Sequence, residues 1–151
     1  MSQYIFNELD FMKAIKTDIE EIFAKDIIYN IIGKEVIVKT SINNTDTNFP
    51  CIFIRTFNCA SAIRYSTVEQ GQQFSDLTLE FDCYSKEFSD YTRDEAITFI
   101  KQTLIQGFCD KYPLINLTFD EFMPNLDILV ARRIVRFTCT IDNRYNKIYS
   151  N

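Results

Sequence analysis

The chain has 151 residues, 46% of them hydrophobic and 25% charged, which suits one globular domain with a self-sufficient core and disfavours a disordered polymer. Lys plus Arg number 16 and Asp plus Glu 21, a net charge of −5 that argues against holding nucleic acid by counterion release. Histidine is absent, so Ser-His-Asp and Cys-His catalysis and His-bearing zinc sites are excluded.

The first predicted element is an amphipathic helix over residues 7–24. Leu9, Met12, Ile15, Ile19, Ile22 and Phe23 recur there at spacings of three and four, with polar residues between them. Asn7 is its candidate cap, and Glu8 and Asp10 suit its positive end. Residues 26–32 read as a second helix or an extension of the first, stopped by Gly33. The β-branched run at 35–40 is a strand, 41–48 a polar loop, and the nearly all-apolar CIFIRTF after Pro50 a strand covered on both faces or by a neighbouring subunit. A further strand is expected over 60–66, then a turn at 69–72.

Residues 74–84 alternate well. Leu77, Leu79, Phe81 and Cys83 face one way and Thr78, Glu80 and Asp82 the other. These strands most simply form a meander. Thr92 and Glu95 make a capping box, opening a helix whose inner face is Ile97, Ile100, Leu104 and Phe108 and whose end is bracketed by Gly107 and Pro113. A short strand at 116–122, a break at 123–125 and a long alternating strand at 133–141 follow, then a polar tail with two tyrosines. The order predicts one α+β domain spanning 1–151, with an antiparallel or mixed sheet of four to five strands and two main helices packed on one face.

Five cysteines, Cys51, Cys59, Cys83, Cys109 and Cys139, are odd in number, widely spaced and without a CxxC pair. They read as reduced, small buried hydrophobes in a cytoplasmic folding compartment. The start of the chain has no basic-then-apolar signal pattern, and no stretch approaches the ~18 apolar residues of a membrane span.

Candidate acids are Glu80 and Asp82 on one strand face, and Asp120 and Glu121 on another strand. Glu80 and Asp82 could present carboxylates to a metal, but a charged, solvated sheet face is the simpler reading. No glycine-rich phosphate loop, zinc-protease motif or EF-hand loop is present. No catalytic, cofactor-binding or metal-binding residue is therefore assigned. Arg132, Arg133 and Arg136 are the basic cluster, and strand geometry sends Arg132 and Arg136 to one face and Arg133 to the other. Arg132 and Arg136 either meet acidic groups of a partner or pair within the sheet. Aromatic content is 15%, with 14 Phe and 8 Tyr. Tyr4, Phe6, Tyr145 and Tyr149 lie near the termini, where tyrosine suits an interface. Arg132, Arg136, Tyr145 and Tyr149 are the candidate subunit or partner interface.

The layout resembles the tail-terminator (tail-completion) proteins of long-tailed bacteriophages. The resemblance rests on the N-terminal amphipathic helix, the FPCIFIR strand after a polar loop, the FSDLTLEFDCYS strand, the acid-capped helix at 91–108 and the closing RRIVRFTCTIDNRYNKIYS segment. The head–tail joining proteins of the phage neck share this element order. The resemblance implies a virion protein, assembled in the host bacterial cytoplasm, that forms a homo-oligomeric ring, usually a hexamer. The ring sits on the last ring of tail tube protein, ends tube polymerisation and offers a surface to the head-completion or connector protein. DNA would pass through its lumen without specific binding. The resemblance implies no cofactor, no catalytic residue and no membrane contact. A host-encoded interaction module and a metal-dependent enzyme using Glu80 and Asp82 are the other classes left open.

Overall fold

The longest strands set the architecture. The structure, a computed structural model, describes residues 6–25, 36–40, 50–61, 74–88, 90–123 and 129–149. Within them, β1 (Ile37–Lys39), β2 (Cys51–Ser61), β3 (Phe74–Ser85), β4 (Asn116–Met123), β5 (Ala131–Asp142) and β6 (Lys147–Ile148) form one sheet, and α1 (Glu8–Lys25) and α2 (Arg93–Lys111) pack on one of its faces. The fold is α+β, as the element order predicts. The strand order is β1-β2-β3-β5-β4, with β6 beside the end of β5.

This is not the expected meander. β1 runs parallel to β2, and β5 inserts between β3 and β4, so two of the connections are crossovers. β3 and β5 are antiparallel and in register over twelve residue pairs, from Phe74↔Asp142 to Ser85↔Ala131. Both have enough alternating apolar residues to fill the helix-facing layer, which makes them the central strands. Leu77, Leu79, Phe81 and Cys83 of β3 and Val135, Phe137, Cys139 and Ile141 of β5 enter the core together with Ile52 and Ile54 of β2. Phe81, Phe108 and Phe137 meet at its centre, with ring centroids 5.3–6.0 Å apart.

α1 begins at its predicted cap: the Asp10 amide donates to Asn7 Oδ1 at 3.2 Å. Its buried stripe is Phe11, Ile15, Ile19 and Phe23, flanked by Met12 and Ile22. Leu9, expected on that face, is 73% exposed, and Phe11 takes its place. The helix turns 100° per residue, so the i, i+4 series starting at Phe11 leaves Leu9 nearly on the opposite side. α2 has the predicted capping box, with the Glu95 amide donating to Thr92 Oγ1 at 3.2 Å and Glu95 accepting from the Thr92 amide at 3.3 Å. Its four predicted inward residues, Ile97, Ile100, Leu104 and Phe108, are fully buried. Lys111 and the Tyr112 hydroxyl both donate to Asp18, tying the end of α2 to α1.

The end of α2 at Lys111 falls between Gly107 and Pro113, as expected. Gly107 itself lies where α1 crosses. A Cβ there would stand 2.5 Å from Ile22 Cγ2 and 3.1 Å from Cγ1. The C-terminal turn also belongs to the fold. Asn146, at φ 53°, accepts from the Asn7 amide through its side-chain oxygen and donates to the Asn7 carbonyl, and Ile148 enters the core. The further strand expected over 60–66 does not start separately, since residues 60 and 61 end β2; its remainder at 62–66, the expected elements at 26–32, 41–48 and 69–72, the break at 124–125 and Tyr4 lie outside the described residues.

The Gly107 contact makes a sharp test. Gly→Ala in an open helix gains about 1 kcal/mol. Here Gly107→Ala is expected to lose stability in urea denaturation, and the same change in an Ile22→Ala background is expected to gain it. A gain in the wild-type background would show that the helices separate freely at this point.

Candidate functional site

The sheet face opposite the helices carries the chain's charge-dense surface. Strand alternation places Arg55 of β2, Glu80 and Asp82 of β3, and Arg132 and Arg136 of β5 there, and the pairings Arg55↔Glu80↔Arg136 and Asp82↔Ile134 align them across three strands. Glu80 is the hub. Arg55 Nε donates to its Oε1 at 3.0 Å and Arg136 Nε to its Oε2 at 2.9 Å, while its side chain is only 1% exposed. Next to it Asp82 receives a bidentate pair from Arg132, at 3.0 and 2.9 Å, and a third bond from the Tyr84 hydroxyl at 3.0 Å. The guanidiniums also lie over rings: Arg132 over Tyr84 at 5.5 Å and Arg136 over Phe119 at 4.8 Å.

The electrostatics follow from this packing. Burial alone would push the Glu80 carboxyl up, but the bonds from Arg55 and Arg136 outweigh it and hold it below the usual glutamate range. The same carboxylate raises Arg55 further. Burial, with the Asp82 charge beside it, pushes the Tyr84 phenol up to about 12. Cys51, also on this face, is pushed up to about 11, chiefly by burial. Cys83, on the core side, is raised still further by burial, and burial raises Cys109 as well. A thiol so raised is protonated at neutral pH and a poor nucleophile. Cys51, Cys83, Cys109 and Cys139 are all free thiols; the Cys59 side chain lies outside the described residues.

The carboxylates therefore differ from both readings of the sequence. Glu80 and Asp82 are not a solvated face, because long arginine side chains lie over them and remove them from water. Nor are they poised for a metal, since each is already neutralised by guanidinium, and no cluster of three or more His, Cys, Asp or Glu able to hold an ion occurs among the described residues. Asp120 is engaged on the helix side of the sheet, between Lys101 of α2 at 2.9 Å and Arg133, which the strand geometry correctly sends there. Its carboxyl stays low: burial raises it, but these two cations lower it more. Glu121 is exposed on the outermost strand.

Of the four candidate interface residues, Arg132 and Arg136 are half-buried and pair within the sheet. Tyr145 is 67% exposed. The ring of Tyr149 packs edge-on to Phe74 at 5.5 Å, and its amide donates to the Thr140 carbonyl at 2.7 Å. The structure thus brings Arg132 and Arg136 together in one network and sets both tyrosines near the other end of β5. Arg55 is the network residue that the sequence reading missed. Its signal was the spacing Cys51, Phe53, Arg55 within an otherwise apolar strand, but its partner becomes visible only with the β2–β3 register. Exposed apolar side chains gather along the opposite flank: Leu114, Leu117 and Phe122 on and before β4, and Leu129 before β5.

Compared with known families and curated proteins, the chain matches no family model and no curated sequence. No helix among the described residues is long and apolar enough to cross a membrane.

The carboxylate hub gives a pH prediction. Glu80 has a lowered folded-state pKa, so its contribution to stability is complete above about pH 4.3 and drains away as pH falls through the lower folded value. Glu80→Gln is expected to cost about 1.5–3 kcal/mol at pH 7, the range for hydrogen bonds to a charged group. It should also flatten the stability–pH curve below pH 4.3. Equal stability of the two proteins at pH 7 in chemical denaturation would show that the arginines are held by other means.

Proposed function

We propose that the chain is a structural virion protein that caps the phage tail tube, ends tube polymerisation and provides the interface to which the head is joined. The sequence resemblance brings this reading, and one structural observation supports it best. The described residues form two layers, with both of their helices on one face and a sheet whose outermost strand, β4, displays apolar side chains to solvent, Phe122 being 50% exposed. A plate with an apolar flank suits side-by-side assembly. The charges on the other face are paired to one another, which suits a surface that DNA slides past rather than one that grips phosphates. The expected partners are further copies of this chain in a ring, most simply six, the tail tube protein and a head-completion or connector protein.

The test is assembly of tail tubes from purified tube protein with and without this chain. Added protein is expected to halt elongation and to be found at tube ends by electron microscopy. Tyr145→Ala, at an exposed ring, should keep the circular dichroism of the wild type and reduce end capping. Tubes that elongate unchanged, with no protein at their ends, would overturn the reading.

A further inference from the structure

Two hydrogen bonds fix which way the backbone of β4 points. The Thr118 hydroxyl donates to the Arg136 carbonyl at 3.3 Å, and the Tyr149 amide donates to the Thr140 carbonyl at 2.7 Å. The even-numbered residues of β5 therefore turn their backbone groups toward β4 and β6. Glu121 and Met123, opposite Ile134 and Arg132, direct theirs at β5, so Asp120 and Phe122 turn theirs outward. That side is open at Phe122, which is 50% exposed, and at Leu117 nearer the start of the strand, which is 45% exposed. Nor does β4 contain Lys, Arg or Pro, the residues that commonly blunt an outer strand.

The other outer strands among the described residues are covered. The Ile37 amide donates to the Pro50 carbonyl, so Val38 of β1 turns outward, and the Tyr149 bond leaves Ile148 of β6 turned outward. These two residues are only 4% and 6% exposed. A second copy therefore offers β4 no other open strand among the described residues than its own β4. Centred within the regular stretch 120–123, that pairing sets Asp120 on Asp120 or Glu121 on Glu121, or leaves only residues 121–123 in contact. The side chains beside the open backbone groups say what fits instead. Glu121 is exposed on the open face, and its carboxylate meets no cation among the described residues. Phe122 lies on the helix face, with the Arg133 guanidinium 4.4 Å from its ring. Asp120 is already held by Lys101 and Arg133. An added strand thus sets a cation opposite Glu121 and, on either side of it, apolar residues on the helix face.

We infer that the outer edge of β4 receives an extended segment of another protein, basic opposite Glu121 and apolar opposite Phe122, bonded to the backbone groups of Asp120 and Phe122. The inference uses only this edge and stands apart from the tail-capping reading.

The probe is the peptide acetyl-Thr-Val-Lys-Val-Thr-amide, whose sequence is the same in both directions, added to the full chain and followed by amide hydrogen exchange in NMR. In the free chain the amides of Glu121 and Met123 should exchange slowly and those of Asp120 and Phe122 fast. The peptide should slow Asp120 and Phe122. Replacing its lysine by glutamate should weaken binding about three- to tenfold, and Glu121→Lys should invert that preference. Phe122→Ala keeps the outward N–H and Phe122→Pro lacks it, so the proline variant should bind about two- to tenfold more weakly than the alanine one, circular dichroism confirming that both fold. Slow exchange of Asp120 and Phe122 in the free chain at every dilution shows that the chain covers its own edge. Slowing that appears with concentration shows pairing between copies. A peptide that leaves both amides fast, or binds as well with glutamate as with lysine, shows that no such strand is added. Each of these results overturns the inference, and tube capping observed alongside any of them leaves the capping reading standing.

Discussion

The structure depends on the twelve-pair register between β3 and β5. These strands supply the central ladder, and because alternate side chains point to opposite faces, their register decides two layers at once. On one side it stacks Leu77, Leu79 and Phe81 with Cys139, Phe137 and Val135 under the helices. On the other it sets Glu80 opposite Arg136 and Asp82 opposite Ile134, within reach of Arg132. A slip by one residue would put guanidiniums into the core and phenylalanines into water. The apolar and ionic layers therefore specify the same pairing, and agreement between levels is what leaves one native arrangement.

The ionic layer answers a problem created by the architecture. Both helices lie on one face, so nothing among the described residues packs over the other, although Cys51, Phe53 and Ile134 are buried there. The arginines on that face keep their charged ends at carboxylates and over the rings of Tyr84 and Phe119. Because Glu80 bridges Arg55 and Arg136, the network also ties β2 to β5 through β3. The edges are treated differently. β4 carries Leu117 and Phe122 in the open, without the lysines or prolines that usually protect an outer strand. A flank of that kind is a hazard in a monomer and an asset in an assembly, the tension behind reading the chain as a ring subunit.

The helices, the major strands, both caps and the inward residues of α2, β3 and β5 were legible in the sequence, since each is encoded by neighbours within a few residues. Thr92 and Glu95 signal a helix start whatever surrounds them, and the run Val135, Phe137, Cys139, Ile141 signals a one-sided strand. Errors fell where the encoding is not local. Leu9 and Phe11 are both apolar and two residues apart, and which one is buried depends on the angle at which α1 meets the sheet. Gly107 helps bracket the end of α2, but its service as a gap for Ile22, a residue more than eighty positions away, is not written locally.

The sequence by itself determined the class of fold, the number of main helices, the faces of the long strands and the lack of any histidine-based chemistry, because composition and short-range periodicity suffice for each. Only the tertiary structure decided that β5 lies between β3 and β4, that β1 runs parallel to β2, and that Glu80 and Asp82 are buried ion-pair acceptors rather than a wetted face. It alone showed which strands lie outermost among the described residues. Alternation tells a side chain which face to take but not which strand stands beside it. Strand order is settled by long-range packing and loop closure, and with it the partner of every charge on the open face.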